Sequence, residues 1–376
     1  RPKNITLENG AQEQEFEIGV EDYDENRHFF VGHYFRDNYE KALKSLPYVN
    51  SDVIITRLDV YVNDTRGTPE DVQRDVVAFA DLGECNPFNI NTIGSVGQCA
   101  PDNNSNNLYR KLNDNGNTRN LDQVAQVLET PGGEFALNDV RDFRKTLARK
   151  LEPSEYTYDP QLGFVSLNFS LRPNEVLSVA YEYTTIYGGS YKVGEFAEDI
   201  FSSDDENEPR VLFLKMLKST SQIPSHPIWD LMMRNVYALG AYQVQAQDFR
   251  LDVYYENPGG GDLRYIPAGE GVKGIPLIRI LNIDQVNSNL EPFPDGIFDF
   301  IPTRRDFETQ TAVATNTTRY GTINPKNGRL IFPVLEPFGE HLFGEFCERA
   351  NPDDPNISMA DCADSAVGEI ARKYAY

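Results

Sequence analysis

Tryptophan and methionine are scarce in this chain, at 1 and 4 residues, whereas tyrosine and phenylalanine stand at 20 and 22. Aromatics of that kind cover pleated surfaces well, so the balance leans towards β structure. Positive charge is also short: 35 Lys and Arg face 58 Asp and Glu, leaving a net charge of −23. Such a surface repels phosphate backbones and anionic headgroups, which argues against nucleic acid and anionic membrane surfaces as partners. No apolar run approaches the roughly 18 residues that a transmembrane helix needs. The opening RPKNITLENG has neither an initiator Met nor an apolar leader segment, so the chain reads as an excised or processed piece.

Catalytic patterns are missing too. The four histidines, His28, His33, His226 and His341, fall in no metal-binding spacing. They read as satisfied structural residues. Gly94-Ser95-Val96-Gly97 lacks the first glycine of a nucleophile elbow, because Ile93 stands there. Gly259-Gly260-Gly261 follows a strand-like stretch but leads to Asp262 and no helix start, so it reads as a turn and not a phosphate cradle. Asp22-Tyr23-Asp24-Glu25-Asn26 begins like a calcium loop, yet Arg27 occupies the position of the sharp-turn glycine. Asp295 to Asp299 is a fragment of such a loop. The expectation is a protein that is not an enzyme, with no catalytic, cofactor-binding or metal residues.

Four cysteines are present, at 85, 99, 347 and 362, in two local pairs separated by 14 and 15 positions. Both intervening stretches are rich in turn residues, and no CxxC or neighbouring His suggests a metal. Two disulfides are expected, Cys85–Cys99 and Cys347–Cys362, and with them an oxidising compartment.

The length of 376 residues suggests two domains. Internal echoes suggest where they lie. RLDVYVN at 57–63 returns as RLDVYYEN at 250–257. Asp159-Pro160-Gln161-Leu162-Gly163, followed by alternating apolar residues, returns as Asn324-Pro325-Lys326-Asn327-Gly328. The Asx-Pro-x-x-Gly unit is sound turn chemistry: Pro fixes φ, Asx caps the turn, and Gly takes the left-handed position. Phe16–Gly19 matches Tyr191–Gly194, and the amphipathic stretch 35–43 matches 229–239. These pairs predict two similar modules, 1–186 and 187–376. The expected fold is mixed α+β and β-dominated, each module a mostly antiparallel, sandwich-like sheet carrying one or more helices.

Within that scheme, a helix runs from Asp37 to Pro47 and another starts after Ser225. A disulfide-bearing helical insertion spans about 85–150, with helices over LDQVAQVLE and over NDVRDFRKTLARKL, the latter capped by Asn138. GFVSLNFSLRPNEVLSVAYEYTT reads as a hairpin turning at Arg172-Pro173-Asn174-Glu175. A C-terminal helix covers Ser358 to about Tyr374.

Several of these stretches together resemble one family. FFVGHYFRDNYEKALKSLP with ITRLDVYVND, LGFVSLNFSLRPNEVLSVAYEYT, WDLMMRNVYALGAYQVQAQDFRLDVYYEN and NPKNGRLIFPVLEPFGEHL are similar to the SprA/Sov family. Its members are the giant outer-membrane translocons of the type IX secretion system, tied also to gliding motility. The similarity covers about 16 to 342, without the stretch 85–150. It implies a portion of a very wide single-chain barrel protein of the bacterial outer membrane. The implied partners are secreted cargo with C-terminal signals, and accessory barrel-shuttle and plug subunits. The high charge, turn density and expected disulfides suit a soluble insert, either an extracellular cap or a periplasmic part, with the extracellular side favoured. The alternative is a free-standing cell-surface adhesin or glycan-binding module, with Tyr254, Tyr255 and Tyr265 as candidate stacking residues.

Overall fold

Strand β4 (Val53–Asn63) carries the first RLDVYVN echo, and its long apolar alternation is what a strand with neighbours on both sides requires. The computed structural model to which it belongs describes residues 5–8, 11–14, 16–63, 73–89, 92–95, 100–200, 211–303, 321–351 and 359–375. It is 22% helical and 26% strand, so the chain is mixed α+β with strands ahead of helices, in several sheets that are largely antiparallel.

Two compact units divide the chain, but not at 186/187. One gathers 25–38 and 51–233, the other 1–24, 39–50 and 234–376. These compact units differ from the expected modules 1–186 and 187–376: the unit that holds 51–186 also holds 187–233, and residues 1–24 and 39–50 group with 234–376. The division passes through helix α1 (His33–Ala42), which starts before the expected Asp37.

The second unit opens with the hairpin β1 (Ile5–Glu8) and β2 (Ala11–Gln14). In the first unit, β3 (His28–Phe30), β7 (Tyr156–Asp159) and β8 (Phe164–Leu167) make a three-stranded sheet in the order β3-β8-β7. A larger sheet contains β4, β5 (Gln73–Phe79), β6 (Phe143–Lys150), β9 (Leu177–Thr185), β10 (Ser190–Val193) and β11 (Leu212–Lys218). Its order is β10-β9-β11-β5-β6-β4, and β4 also pairs with β9, so five of the six strands close into a barrel. The β11–β5 contact is parallel and the other pairings are antiparallel. Register places Val76, Ala78, Ala148, Ser178, Ala180, Leu212, Leu214 and Met216 on one face, all buried. The opposite face includes Leu147, 48% exposed, and is the outer wall. Small residues on the inner face suit a five-stranded barrel, whose lumen is filled by side chains.

Three expectations fail here. NDVRDFRKTLARKL is not a helix: it supplies β6, a barrel strand paired on both edges. The supposed insertion therefore ends inside the main sheet, and its helical part is confined to α2 (Leu108–Asp114), a 3-10 turn and α3 (Leu121–Glu129). The hairpin over 164–185 also dissolves, because β8 and β9 belong to different sheets. Lys218 shows why: its Nζ donates to the carbonyls of Arg172, Pro173 and Glu175 at 3.1, 3.0 and 2.8 Å, ordering the connection from a distant strand. The expected helix after Ser225 is a 3-10 segment, Pro227–Leu231, capped by His226. A short helix, α4 (Ala197–Ile200), follows β10.

The second unit holds β12 (Val236–Ala238), β13 (Tyr255–Asn257), β14 (Gly261–Leu263), α5 (Leu277–Ile280), β15 (Ile323–Asn324), β16 (Arg329–Ile331), α6 (Glu340–Ala350), α7 (Met359–Ala363) and α8 (Ala366–Ala375). Its core joins Leu277, Ile280, Leu281, Phe332, Phe343 and Phe346. The single C-terminal helix is two, α7 and α8. Cys362 on α7 is bonded to Cys347 on α6, with Cα atoms 5.9 Å apart. Peptide mapping without reductant is expected to recover these two cysteines in one linked fragment, and two separately alkylated thiols would contradict it. The other expected pair, Cys85–Cys99, involves Cys99, which lies outside the described residues.

The duplication survives at a smaller scale than expected. Sheet β12-β16-β15 has the order of β3-β8-β7. Each contains an Asx-Pro-x-x-Gly hairpin, with Asp159 opposite Phe164 and Asn324 opposite Arg329. Val31 N donates to Gly163 O at 3.0 Å, as Leu239 N donates to Gly328 O at 2.9 Å. The Pro160 and Pro325 carbonyls accept from Ile55 N and Val244 N at 2.8 and 3.0 Å. The other echoes take unlike structures: of 250–257 only Tyr255–Asn257 is a strand, residues 16–19 are not paired as 191–193 are, and opposite helix α1 the stretch 229–239 holds only the end of the 3-10 segment and then β12.

Candidate functional site

Strand β11 reads LFLKMLK, and a lysine inside so apolar a run needs a partner. Lys215 is 1% exposed on the outer wall of the barrel, and its Nζ lies 2.6 Å from Glu84 Oε1. Nζ also donates to the Ala80 carbonyl. Glu84 follows β5 in the turn 80–84 and meets a third group: His33 Nδ1, at the start of α1, is 2.9 Å from the same oxygen. His33 Nε2 is 2.9 Å from the Pro227 carbonyl, so both ring nitrogens face acceptors. Burial alone would push the Glu84 carboxyl up, but Lys215 and His33 hold it well below the usual carboxylate range.

A second polar group adjoins the first. The Phe88 ring stands edge-on between His33 and His226, at centroid distances of 5.1 and 5.6 Å. His226 Nε2 is 4.0 Å from Asp142, and burial pushes the imidazole down. Asp142 takes a two-pronged contact from Arg141, both at 2.7 Å, and the Asn138 N–H at 2.9 Å. Burial raises the Asp142 carboxyl, but these donors bring it below its ordinary value. Asp81 accepts from Phe88 N at 2.6 Å and from Asn89 Nδ2 at 2.9 Å, yet burial keeps its carboxyl raised.

This constellation joins loops that follow β5, precede β6 and precede the 3-10 turn. Sequence spacing could not have found it, because Glu84, His33 and Lys215 come from distant segments. The one available signal was lysine within an apolar strand. Chemically the arrangement is a set of mutually neutralised charges, each ionic group consumed by partners inside the protein.

The residues singled out from sequence are placed as follows. All four histidines are hydrogen-bonded: His28 Nδ1 is 2.7 Å from Ser166 Oγ and His341 Nε2 is 2.8 Å from the Ile280 carbonyl; His33 and His226 are described above. Gly259–Gly261 turns the β13–β14 hairpin. Asp24 pairs with Arg329 at 2.6 Å, and Asp22 accepts from Gly19 N at 3.0 Å. Among the described residues no three or more His, Cys, Asp or Glu are grouped to hold a metal ion. Tyr254 and Tyr265 are exposed, whereas Tyr255 packs on Tyr374 at 5.4 Å. Arg264 lies over the Tyr254 ring, 5.7 Å from its centroid, and pairs with Asp252 at 2.9 Å. The three tyrosines therefore do not form one stacking platform. Among the described residues no helix is long and apolar enough to cross a membrane.

No protein-family model matches the chain, and no curated protein matches it.

Proposed function

We propose that this chain is a non-enzymatic portion of a type IX secretion outer-membrane translocon, lying on the extracellular side and shaping the mouth of the pore for folded cargo. The reading rests on the resemblance to the SprA/Sov family. The observation that carries it is where the resembling strings fall in the fold. FFVGHYF and ITRLDVYV supply β3, part of α1 and most of β4; SVAYEYT supplies most of β9; and GRLIF supplies β16, stretches in which most residues are buried. Shared framework is what a common fold preserves. The ionic groups of the candidate site are spent on one another, which suits a structural role better than proton transfer. A net charge of −23 would keep acidic or neutral cargo from adhering to the wall.

The test is replacement of this segment, in the full-length parent chain, by a short Gly/Ser linker. Barrel insertion into the outer membrane is expected to persist while cargo export is lost. Undiminished export with the linker in place would sink the proposal.

A further inference from the structure

Residues 284–299 form a loop that is closed from both ends. Asp284, at its start, accepts the N–H groups of Asp295 and Gly296 through Oδ1 at 2.9 and 3.1 Å. Asp299, at its end, accepts those of Gln285 and Val286 through Oδ2 at 2.6 and 3.2 Å. Asn287 adds an inner clasp: Oδ1 accepts from Glu291 N at 3.1 Å, and Nδ2 donates to Glu291 Oε2 at 2.9 Å. This closure carries a conformational cost. Leu290 is held at φ +62°, in the left-handed region that branched side chains avoid. Burial pushes the Asp299 carboxyl up to about 6.

What this frame displays is apolar. Phe293 is 67% exposed and Ile297 65% exposed, and Phe293 sits between Pro292 and Pro294. Rigid backbone around an exposed aromatic lowers the entropy lost on binding. Exposed Glu291 and Asp295 flank the apolar pair. A second copy of this chain would bring its own strongly negative surface, and an anionic bilayer would repel the loop likewise. Complementarity points to a basic rim around an apolar centre, the usual arrangement of anchor and rim.

We propose that the 284–299 loop is a preformed docking element whose Phe293 and Ile297 enter an apolar pocket, rimmed by Lys or Arg, on a different protein. The proposal stands apart from the translocon reading, because it follows from this loop alone. The photoreactive residue p-benzoylphenylalanine placed at exposed Asn289 of the protein, in its native cells, tests it, with the same probe at exposed Tyr187 as control. Light is expected to join position 289 to one other polypeptide, and the join should map beside Lys or Arg. The adduct should be weakened by high salt and lost when Phe293→Ser and Ile297→Ser are combined, with the melting temperature of the purified protein unchanged. An adduct only to lipid or to a second copy, one no stronger than at Tyr187, or one that survives the double substitution overturns the proposal. So does a fall in melting temperature on substitution, since the two side chains would then be packing within the fold.

Discussion

Replacing Lys215 by Met is expected to remove about 3–5 kcal/mol of folding stability, the range found when one partner of a buried ion pair is deleted. Methionine fills nearly the same volume in the β11 wall, so packing changes little. What changes is that the buried Glu84 loses the ammonium 2.6 Å away and keeps only His33. Against a typical total of roughly 5–15 kcal/mol, this is a large fraction. Adding Glu84→Gln to Lys215→Met is expected to recover much of the loss, because no unpaired charge then remains in the wall. Urea denaturation of the four corners of the double-mutant cycle gives the coupling directly. Additive single effects would show that the pair is not energetically joined.

The same contact sets an acid limit. Glu84 has a folded carboxyl held well below its unfolded value. Its contribution is therefore present above the unfolded pKa, near 4.3, and is lost as pH falls towards the folded value. The stability of the wild type should fall more steeply on acidification than that of the double variant.

The expected sheets were sandwich-like and their closure into a barrel was not read, but single strands and one helix were legible because they obey local rules. Residues 53–63 and 177–185 alternate, and 121–129 carry a helical apolar stripe behind the capping Asn120. The Cys347–Cys362 pairing followed from local spacing. What local pattern misled was β6. Val140, Phe143, Leu147 and Leu151 fall three or four apart, as on a helix face, but β5 and β4 claim both edges of the segment. Tertiary pairing overrides propensity in such a case. RLDVYYEN shows the converse. It repeats the letters of β4, but Pro258 and the glycines leave only a short hairpin with β14, and its first residues remain unpaired in any strand. The ionic site was hidden for another reason. Charge neutralisation between Glu84, His33 and Lys215 is a property of three-dimensional proximity, and no periodicity encodes it.

Where sequence and structure agree most closely is the Asx-Pro-x-x-Gly turn, and substituting its glycine separates two contributions to stability. Gly163 and Gly328 sit at φ +65° and +60°, so alanine at either is strained by roughly 1–2 kcal/mol. The surroundings then differ. A Cβ at Gly163 would lie 2.0 Å from the Phe35 ring, which is buried with Tyr181 and Tyr183 at centroid distances of 5.9 and 6.1 Å. A Cβ at Gly328 would lie 1.9 Å from the Ala241 carbonyl oxygen, beside the exposed turn residue Asn327. The ring at 163 is confined on several sides, and overpacking there adds about 1–3 kcal/mol to the strain. At 328 the obstacle is backbone, and the chain on either side of Ala241 is tied to the turn by Leu239 N to Gly328 O at 2.9 Å and Val244 N to Pro325 O at 3.0 Å. Gly163→Ala and Gly328→Ala are therefore each expected to cost about 4 kcal/mol, read from urea midpoints at unchanged m. A loss at 163 no larger than the strain alone would mean that the Phe35 ring is free to move aside. The packing of α1 residues on the barrel wall would then not be what holds the first copy of this turn in place.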